Sequence, residues 1–397
     1  MTNFKPLVAR VFCLLISSLS VFSSPATAEA QNAAVQQGAG SELTRVMGEV
    51  MVVPPITTAT GFMASTFIGT GHVYDPLFMR DWGERVLVND DGGADGEKGS
   101  RILSFDGQGR LRVEIGLKSL PPVVGFDIAP ADFGKVAGQF VVLSQETAGF
   151  EAALKNHVVQ AIPQDGNGEV TRLCTLQALP KKPGDFKSGF GVDGRFGPQG
   201  SAFAGRFFSV TLKNATVYQT TAAGVCSPFV TFDPLKWGLP FALVFSKDHQ
   251  HMLASLGPGV GHGPDAPQGG IVRINAAGGI VGDMIAPGIG RASGMAFAPQ
   301  DFGEYGGQLF VAAAGNLQIP VPQAQRLTAD GYVYRVDSAG QVHEVAAGFI
   351  NPAGLHFAFG KLLVADINGD FIAGRRELPE GFIIAIEVAS GAAGAVE

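Results

Sequence analysis

Short apolar segments that end in polar or small residues recur along this chain. Each has a glycine or another turn residue in front of it and a run of Val, Leu, Phe or Ile in its middle. The six segments are GERVLVND from Gly83, GQFVVLSQ from Gly138, GRFFSVTL from Gly205, HQHMLASL from His249, GQLFVAAA from Gly307 and GKLLVADI from Gly360. Runs of this length and composition between turn residues predict β-strands.

A second series of segments predicts hairpins between those strands. Each reads as a strand, a turn containing Gly or Asp, and another strand, and the six begin at Ser100, His157, Ala215, Gly269, Gly331 and Gly381. A further strand precedes most members of the first series, as GFDIAP from Gly125, FALVFS from Phe241, GMAFAP from Gly294 and GLHFAF from Gly354. Four antiparallel strands repeated six times form a six-bladed β-propeller, so we predict an all-β fold of that type.

Composition and charge support this fold and narrow the partners. The chain has 55 Gly among 397 residues, which is about twice average usage, and few amphipathic helical patterns. Its net charge of -7 argues against a nucleic-acid or anionic-membrane partner. We expect a monomer that binds a small-molecule substrate or ligand, with no nucleic acid and no membrane.

The beginning of the chain has the pattern of an export signal. Lys5 and Arg10 precede or flank an apolar run, Val11–Phe22, and small residues follow at 26–28. A run of twelve residues is too short to span a membrane. The predicted divisions are a signal peptide at 1–28, a flexible segment at 29–42 and the six-bladed propeller at 43–397. We therefore expect a protein that is exported, either to the periplasm or by secretion, with a charge of about -9 after cleavage.

The two ends of the chain are expected to close the ring. The last strand, GAAGAVE from Gly391, is rich in Ala and Gly and poor in residues that favour strands. Leu43–Val53 (LTRVMGEVMVV) is expected to supply or reinforce the outer position of the last blade. Such closure protects a sheet edge that would otherwise be exposed.

Two features leave alternatives open. Gly184–Phe208 departs from the repeat spacing with a connection rich in Phe and Gly. It is either a lid over the channel or a structural insert that replaces the inner strand of the third blade. Cys174 and Cys226 remain after signal cleavage, and they form either a disulfide or two buried thiols.

Polar residues follow the first-series strands at one edge of the predicted ring. In a propeller, the loop after each second strand and the loop before each innermost strand lie on the same face, around the mouth of the central channel. Carboxylate and amide oxygens that converge there suit calcium better than zinc. Asn, Asp and Gly also form tight turns, so a purely structural role is the alternative.

The segments GMAFAP and GGQLFVA, together with NPAGLHFAFGKLLVADINGD, resemble six-bladed propellers of the NHL-repeat and lactonase type, the gluconolactonase and paraoxonase-like group. The resemblance covers nearly the whole mature chain at the level of the repeat pattern. It implies a cation in the channel, calcium in the first place, held by Glu, Asn and Asp side chains. The ligand candidates that it implies are Asn89, Glu146, Asn316, Asn351 and Asp366.

The loop that follows the last first-series strand has a second possible calcium pattern. When Asp366 is position one of an EF-hand loop, Glu377 is position twelve, and Asn368 and Asp370 supply oxygens between them. The glycine that such a loop needs at position six is Phe371 here, and a strand precedes the loop where an EF-hand has a helix. The alternative is a rim loop without a metal.

Three functions follow from these patterns. The first is a metal-dependent hydrolase of small esters or lactones, in which calcium polarises the carbonyl and His72 or Glu146 activates water. The second is a non-catalytic, calcium-stabilised propeller that binds a ligand or a protein. The third is a quinone-dependent sugar dehydrogenase. The segments GFINPAGL and HGPDAPQGG resemble short pieces of that family, although Ile350 occupies the position before Asn-Pro where the family usually has a basic residue.

Overall fold

Six antiparallel sheets form a ring, as the repeat predicts. The computed structural model describes residues 43–46, 49–90, 100–116, 123–145, 157–177, 179, 191–212, 214–258, 268–314, 330–367 and 380–389. Helix in these ranges is limited to one turn, α1 (Pro234–Trp237), and to 3₁₀ turns at Gly134–Val136 and Gly303–Tyr305. No helix among the described residues is long and apolar enough to cross a membrane.

Each of the first three blades has four strands in chain order from the channel outwards. The first blade consists of β5 (Pro76–Trp82), β6 (Arg85–Asp90), β7 (Arg101–Phe105) and β8 (Leu111–Gly116). The second consists of β9 (Val123–Ile128), β10 (Phe140–Gln145), β11 (His157–Ile162) and β12 (Thr171–Thr175). The third consists of β13 (Gly191–Phe196), β14 (Arg206–Thr211), β15 (Thr216–Thr221) and β16 (Cys226–Thr231).

The remaining blades follow the same order, and the N-terminal strands complete two of them. The fourth blade consists of β17 (Leu239–Phe245), β18 (Met252–Gly257), β19 (Gly270–Ile274) and β20 (Ile280–Ile285). The fifth consists of β21 (Ala292–Phe297), β22 (Leu309–Ala313), β23 (Gly331–Val336), β24 (Val342–Phe349) and the short β3 (Thr57–Thr58). The last consists of β25 (Pro352–Ala358), β26 (Lys361–Asp366), β27 (Gly381–Val388) and β4 (Phe62–Val73).

An N-terminal strand closes the ring, but it is not the predicted one. β4 pairs with β27 along most of its length, with Ile68 opposite Ile383. Leu43–Val46 (β1) and Glu49–Val52 (β2) pair only with each other, as a separate hairpin. β4 suits the outer position because it leads directly into the first blade and buries Phe62, Ile68 and Val73. The weak strand from Gly391 lies outside the described residues.

The glycine-rich segment of the third blade contains that blade's inner strand. β13 lies within it, so in the described residues from 191 onwards the segment is a regular blade strand and not a lid or an added insert. Its glycine content has a packing reason, because a Cβ added to Gly194 would lie 2.4 Å from Cζ of Phe207. Residues 180–190 lie outside the described ranges.

The innermost strands of neighbouring blades approach each other backbone to backbone. A Cβ added to Gly125 would lie 2.5 Å from the Asp193 carbonyl carbon, and one added to Gly354 would lie 1.9 Å from the Leu77 oxygen. The GF, GM and GL motifs that mark the inner strands therefore have a steric cause. Each inner strand contacts the inner strands of the two neighbouring blades, so the wall of the channel is continuous.

Aromatic and aliphatic side chains fill the space between the blades. Phe208 is fully buried in one apolar cluster, and Phe310 and Phe382 are fully buried together in another, each cluster formed by strands of adjacent blades. Burial of a side chain of this size contributes roughly 1.5–3 kcal/mol. Cys174 of β12 and Cys226 of β16 form a disulfide with Cα atoms 6.1 Å apart. Of the two alternatives left by the sequence, the cysteines therefore form a bridge, which joins the second and third blades, and are not free thiols.

Candidate site at the channel mouth

The second strand of a blade ends beside the start of its innermost strand, and this edge defines the mouth of the channel. In the first blade Asp90 lies opposite Pro76, and in the last blade Asp366 lies opposite Pro352. Both carboxylates are completely buried. Asp90 and Asp366, two of the polar strand ends that the sequence predicts at the mouth, therefore each lie beside the start of an inner strand.

Asp90 organises the mouth of the first blade. Its Oδ1 accepts hydrogen bonds from the backbone N–H of Tyr74 (3.0 Å) and of Asp75 (2.9 Å). Its Oδ2 accepts from Nε of Arg101 at 3.1 Å, and a second guanidinium nitrogen also contacts that oxygen. Burial acts to lower the pKa of Arg101, but the charge and hydrogen bond of Asp90, together with those of Glu114, outweigh it and raise that pKa. The carboxylate is thus a cap with its own counter-ion.

Asp366 has the same position and the same capping role in the last blade. Its Oδ2 accepts from the N–H of Ile350 (2.8 Å), and its Oδ1 accepts from the N–H of Asn351 (3.0 Å). Both carboxylate oxygens therefore hold the backbone that leads into β25. The combination of X-Pro before the inner strand and Asp at the end of the second strand marks this cap in both blades.

Arg291 is the functional candidate that sequence reasoning missed. It directly precedes β21, and its Nη2 donates a hydrogen bond to Oδ1 of Asn351 in the last blade. The guanidinium carbon lies 5.6 Å from the ring centre of Phe241 in the fourth blade. Burial lowers its pKa to about 10, and the nearby Asp366 opposes this effect. Nothing in the repeat pattern distinguishes this arginine from a surface residue.

Asn89 fixes the inner strand of the second blade. Its side chain is fully buried, and Nδ2 donates to the carbonyl oxygen of Val123 at 2.9 Å. Oγ of Ser100 accepts from the N–H of the same Val123 at 2.8 Å. Oδ1 of Asn89 has no hydrogen-bond donor among the described residues. It is a buried oxygen available to a ligand, a water or a cation.

Six further residues are predicted as catalytic residues or calcium ligands, and the structure describes one of them, His72. His72 is exposed near the mouth end of β4, and its carbonyl oxygen accepts from Nη2 of Arg101 at 3.3 Å. The five that lie outside the described residues are Glu146, Asn316, Asn368, Asp370 and Glu377. No group of three or more His, Cys, Asp or Glu side chains in the described part of the chain is arranged to hold a metal ion.

The predicted calcium ligands fit a cation unequally. Oδ1 of Asn351 already accepts from a guanidinium, and both oxygens of Asp366 accept from backbone N–H groups. These two side chains do not fit calcium in their present arrangement, because their oxygens already accept hydrogen bonds and the positive charge of Arg291 lies beside them. Only Oδ1 of Asn89 fits among the described candidates.

Below the mouth, buried charges cross the channel. Nη2 of Arg80 in the first blade donates to Oδ1 of Asp193 in the third blade at 2.8 Å. Oδ2 of Asp193 accepts from the N–H of Leu243 in the fourth blade at 2.9 Å. Asp127 of the second blade lies 3.7 Å from Nε of Arg80 and accepts from the N–H of Phe196. Because the second blade separates the first from the third, this contact lies within the channel.

The similar proteins found for this chain are solved structures and not sequences. No protein-family model and no curated protein sequence matches this chain. A glucose dehydrogenase is similar with a TM-score of 0.52 and 14% identity, over 82% of this chain and 100% of that one. A gluconolactonase from Xanthomonas campestris has a TM-score of 0.51 and 12% identity, over 88% of this chain and 100% of that one.

A third similar structure is an auxiliary nutrient-binding protein from Bacteroides thetaiotaomicron. Its TM-score is 0.50 at 10% identity, over 82% of this chain and 76% of that one. At these identities the likeness establishes the fold. The predicted resemblance to propellers of the lactonase type is confirmed at that level, and the fold is shared by proteins named as enzymes and by one named as a binding protein.

Proposed function

We propose that this protein is an exported β-propeller hydrolase that acts on small esters or lactones at the mouth of its channel. The observation that carries the proposal is the pair of buried polar atoms at the mouth that have no partner among the described residues, Oδ1 of Asn89 and Nε of Arg291. The buried contact between Arg80 and Asp193 lies below them, so a substrate is expected to enter and leave at the mouth.

The chemistry required is attack of water on a carbonyl carbon and stabilisation of the oxygen that becomes negative. A buried guanidinium such as Arg291 can stabilise that charge, because fixed donors in a poorly hydrated site need little reorganisation. Its attachment to Asn351 limits its movement. We propose Glu146 as the general base that activates water, with His72 as the alternative.

Calcium remains part of the proposal in a narrower form. Of the described candidates, the hydrogen bonds leave Asn89 available to a cation and engage Asn351 and Asp366. We propose that Glu146 and Asn316, which lie outside the described residues, complete the ligand set with Asn89. A calcium ion bound there would act as a Lewis acid on the substrate carbonyl. The rim residues Asn368, Asp370 and Glu377 are proposed as ligands of a separate calcium.

Export is proposed from the signal-like pattern at 1–28. The bridge between Cys174 and Cys226 supports it, because disulfides persist in the periplasm and outside the cell but are rare in the cytosol. Fractionation of cells that express the full chain tests this part of the proposal. Retention of the uncleaved chain in the cytosol would contradict it.

A turnover screen tests the proposed reaction. The mature protein is incubated with panels of small esters and lactones, with added calcium and then with a chelator, while circular dichroism monitors the fold. We expect turnover that Glu146→Gln reduces by about 100-fold or more, the usual range for loss of a general base. A folded protein that hydrolyses nothing in either condition would contradict the proposal.

A non-catalytic propeller that binds a ligand or a protein, stabilised by calcium, is the second candidate. It is favoured by the capping roles of Asp90 and Asp366, since both described carboxylates at the strand ends are engaged with backbone N–H groups. This candidate predicts a lower melting temperature after chelation and no hydrolysis. Reconstitution with a quinone, a sugar and a redox dye tests the third candidate, the dehydrogenase, which no described contact favours.

A further inference from the structure

Arg291 differs from the other buried or half-buried arginines near the channel in the way its charge is balanced. Arg80 and Arg195 both lie within ion-pair distance of Asp193, and Arg101 pairs with Asp90. Within the described residues, no acidic side chain lies at ion-pair distance from Arg291. Its Nε also has no hydrogen-bond acceptor there. This guanidinium is therefore positive and buried, and its Nε–H has no hydrogen-bond acceptor among the described residues.

A buried charge of this kind requires an anion. Unpaired charges are rarely retained inside proteins, because removal from water costs more than a polar but neutral contact returns. The charge of Asp366 acts on Arg291, but backbone N–H groups hold both oxygens of that carboxylate. Asn351 supplies a neutral oxygen and no charge. The counter-ion must come from a ligand or from an acidic loop outside the described ranges.

The location of Arg291 favours a ligand. The residue precedes β21 at the mouth, and its side chain passes Gly257 at the end of β18, where an added Cβ would lie 2.8 Å from Cγ of Arg291. The guanidinium then lies over Phe241 and contacts Asn351. It therefore touches the mouth ends of the fourth and last blades as well as its own.

We propose that Arg291 is the recognition site for a small organic carboxylate at the channel mouth. Guanidinium and carboxylate groups match in charge and geometry, and Nε is the open donor. This inference rests on the proposed function for its place in the reaction, since hydrolysis of a lactone produces a hydroxy acid. The carboxylate belongs either to that product or to a substrate that carries an acid group of its own.

Equilibrium binding tests the inference without any turnover. Lactate and gluconate are compared with their neutral amides, lactamide and gluconamide, by equilibrium dialysis and by thermal shift at constant ionic strength. We expect the carboxylates to bind and to raise the melting temperature, and the amides to do neither. Equal effects of acid and amide would overturn the inference, even if the protein proves to be a hydrolase.

Two substitutions locate the site. Arg291→Met is expected to weaken carboxylate binding by about 10- to 100-fold, the usual effect of losing a charged hydrogen bond. Asn351→Asp places an internal carboxylate against the guanidinium, and we expect it to abolish binding while it raises the melting temperature. Retention of carboxylate binding in both variants would overturn the inference.

The matched control is Asp75→Asn, which makes the reverse change at the corresponding position of the first blade, also directly before a proline. It should leave carboxylate binding unchanged. The acidic loops are tested with Asp265→Asn and Asp370→Asn. If either variant binds the carboxylates at least about 10-fold more tightly than the natural chain, that acid is the counter-ion of Arg291 and the inference is wrong.

The two sources of the carboxylate are distinguished last. Simple esters and lactones without an acid group are compared with esters that carry one, as inhibitors of gluconate binding. Displacement only by the acid-bearing esters indicates a carboxylate of the substrate. Displacement by neither class, with binding of the hydroxy acid retained, indicates recognition of the product.

Discussion

The mouths of the first and last blades use the same carboxylate in the same place and balance it differently. Asp90 accepts two backbone N–H groups with one oxygen and an arginine of its own blade with the other. Asp366 uses both oxygens for backbone N–H groups, and the neighbouring arginine reaches Asn351 from the fifth blade. In the first blade the carboxylate of Asp90 is paired with Arg101, whereas in the last blade the guanidinium of Arg291 has no carboxylate at ion-pair distance among the described residues. Two blades of one repeat can therefore share the same capping carboxylate and still differ in the charged groups that are left without a partner.

The largest effect is expected from removal of the cap in the last blade. Asp366→Ala leaves the N–H groups of Ile350 and Asn351 buried without acceptors, and it removes a negative charge that acts on Arg291. We expect a loss of about 4 kcal/mol in the free energy of unfolding. Chemical denaturation measures it. Asp366→Asn retains one acceptor oxygen and should lose about half as much, and equal losses would contradict a capping role.

A slightly smaller effect is expected where the last blade meets the first. Gly354→Ala places a Cβ 1.9 Å from the Leu77 oxygen and forces the two inner strands apart. We expect a loss of about 3 kcal/mol from this overpacking. The control is Gly360→Ala, a turn position with a φ of +71° and open space around it, where backbone strain alone should cost about 1 kcal/mol. Urea denaturation of both variants measures the difference.

The two arginines provide the most direct test of the comparison. Arg101→Met leaves Oδ2 of Asp90 buried without its counter-ion, and we expect a loss of about 2 kcal/mol. Arg291→Met removes a buried charge that lacks a contacting carboxylate among the described residues, so its effect on stability should be within about 1 kcal/mol of zero. Losses of the same size in the two variants, measured by denaturation, would show that both charges are equally balanced.

The smallest effect is the dependence on pH of the contact between the first and last blades. Burial acts to raise the pKa of Asp81, but a hydrogen bond and charge from His356 and the charge of Arg80 lower it below its usual 3.8. A lowered carboxylate pKa stabilises the fold above the unfolded value, and this contribution disappears as pH falls through the folded value. The range from pH 5 to pH 3 extends roughly one unit to either side of the pKa of Asp in the unfolded chain. When the pH is lowered through this range, the free energy of unfolding should fall less in Asp81→Asn than in the natural chain. Identical losses would contradict the contribution of this pair.

The fold could be predicted from the sequence because its main determinant is repeated. The strand series, the turn glycines and the GF, GM and GL motifs each occur several times, so one irregular unit does not hide the pattern. The strand that closes the ring was harder to identify. β4 (FMASTFIGTGHV) contains two Gly and two Thr and alternates only weakly, whereas Leu43–Val53 has the stronger apolar pattern. Connectivity to the first blade decided the outcome over strand propensity.

The site could be predicted in position but only partly in chemistry. Asp90 and Asp366 lie at the mouth as strand ends in a propeller must, but sequence cannot show whether their oxygens face a cation or a backbone N–H group. Arg291 carries no repeated signal, since its role depends on Asn351 and Phe241 of two other blades. The set of calcium ligands proposed from the sequence is untested at Glu146 and Asn316, which lie outside the described residues.

Closure of the last blade by β4 has a consequence for the way the chain acquires its structure. Ile68 must wait for Ile383, so the first strand of the ring remains without its partner until nearly all of the polypeptide has emerged. Contacts over such a separation form late and slowly. The contacts that close the ring are therefore expected to be among the last to form.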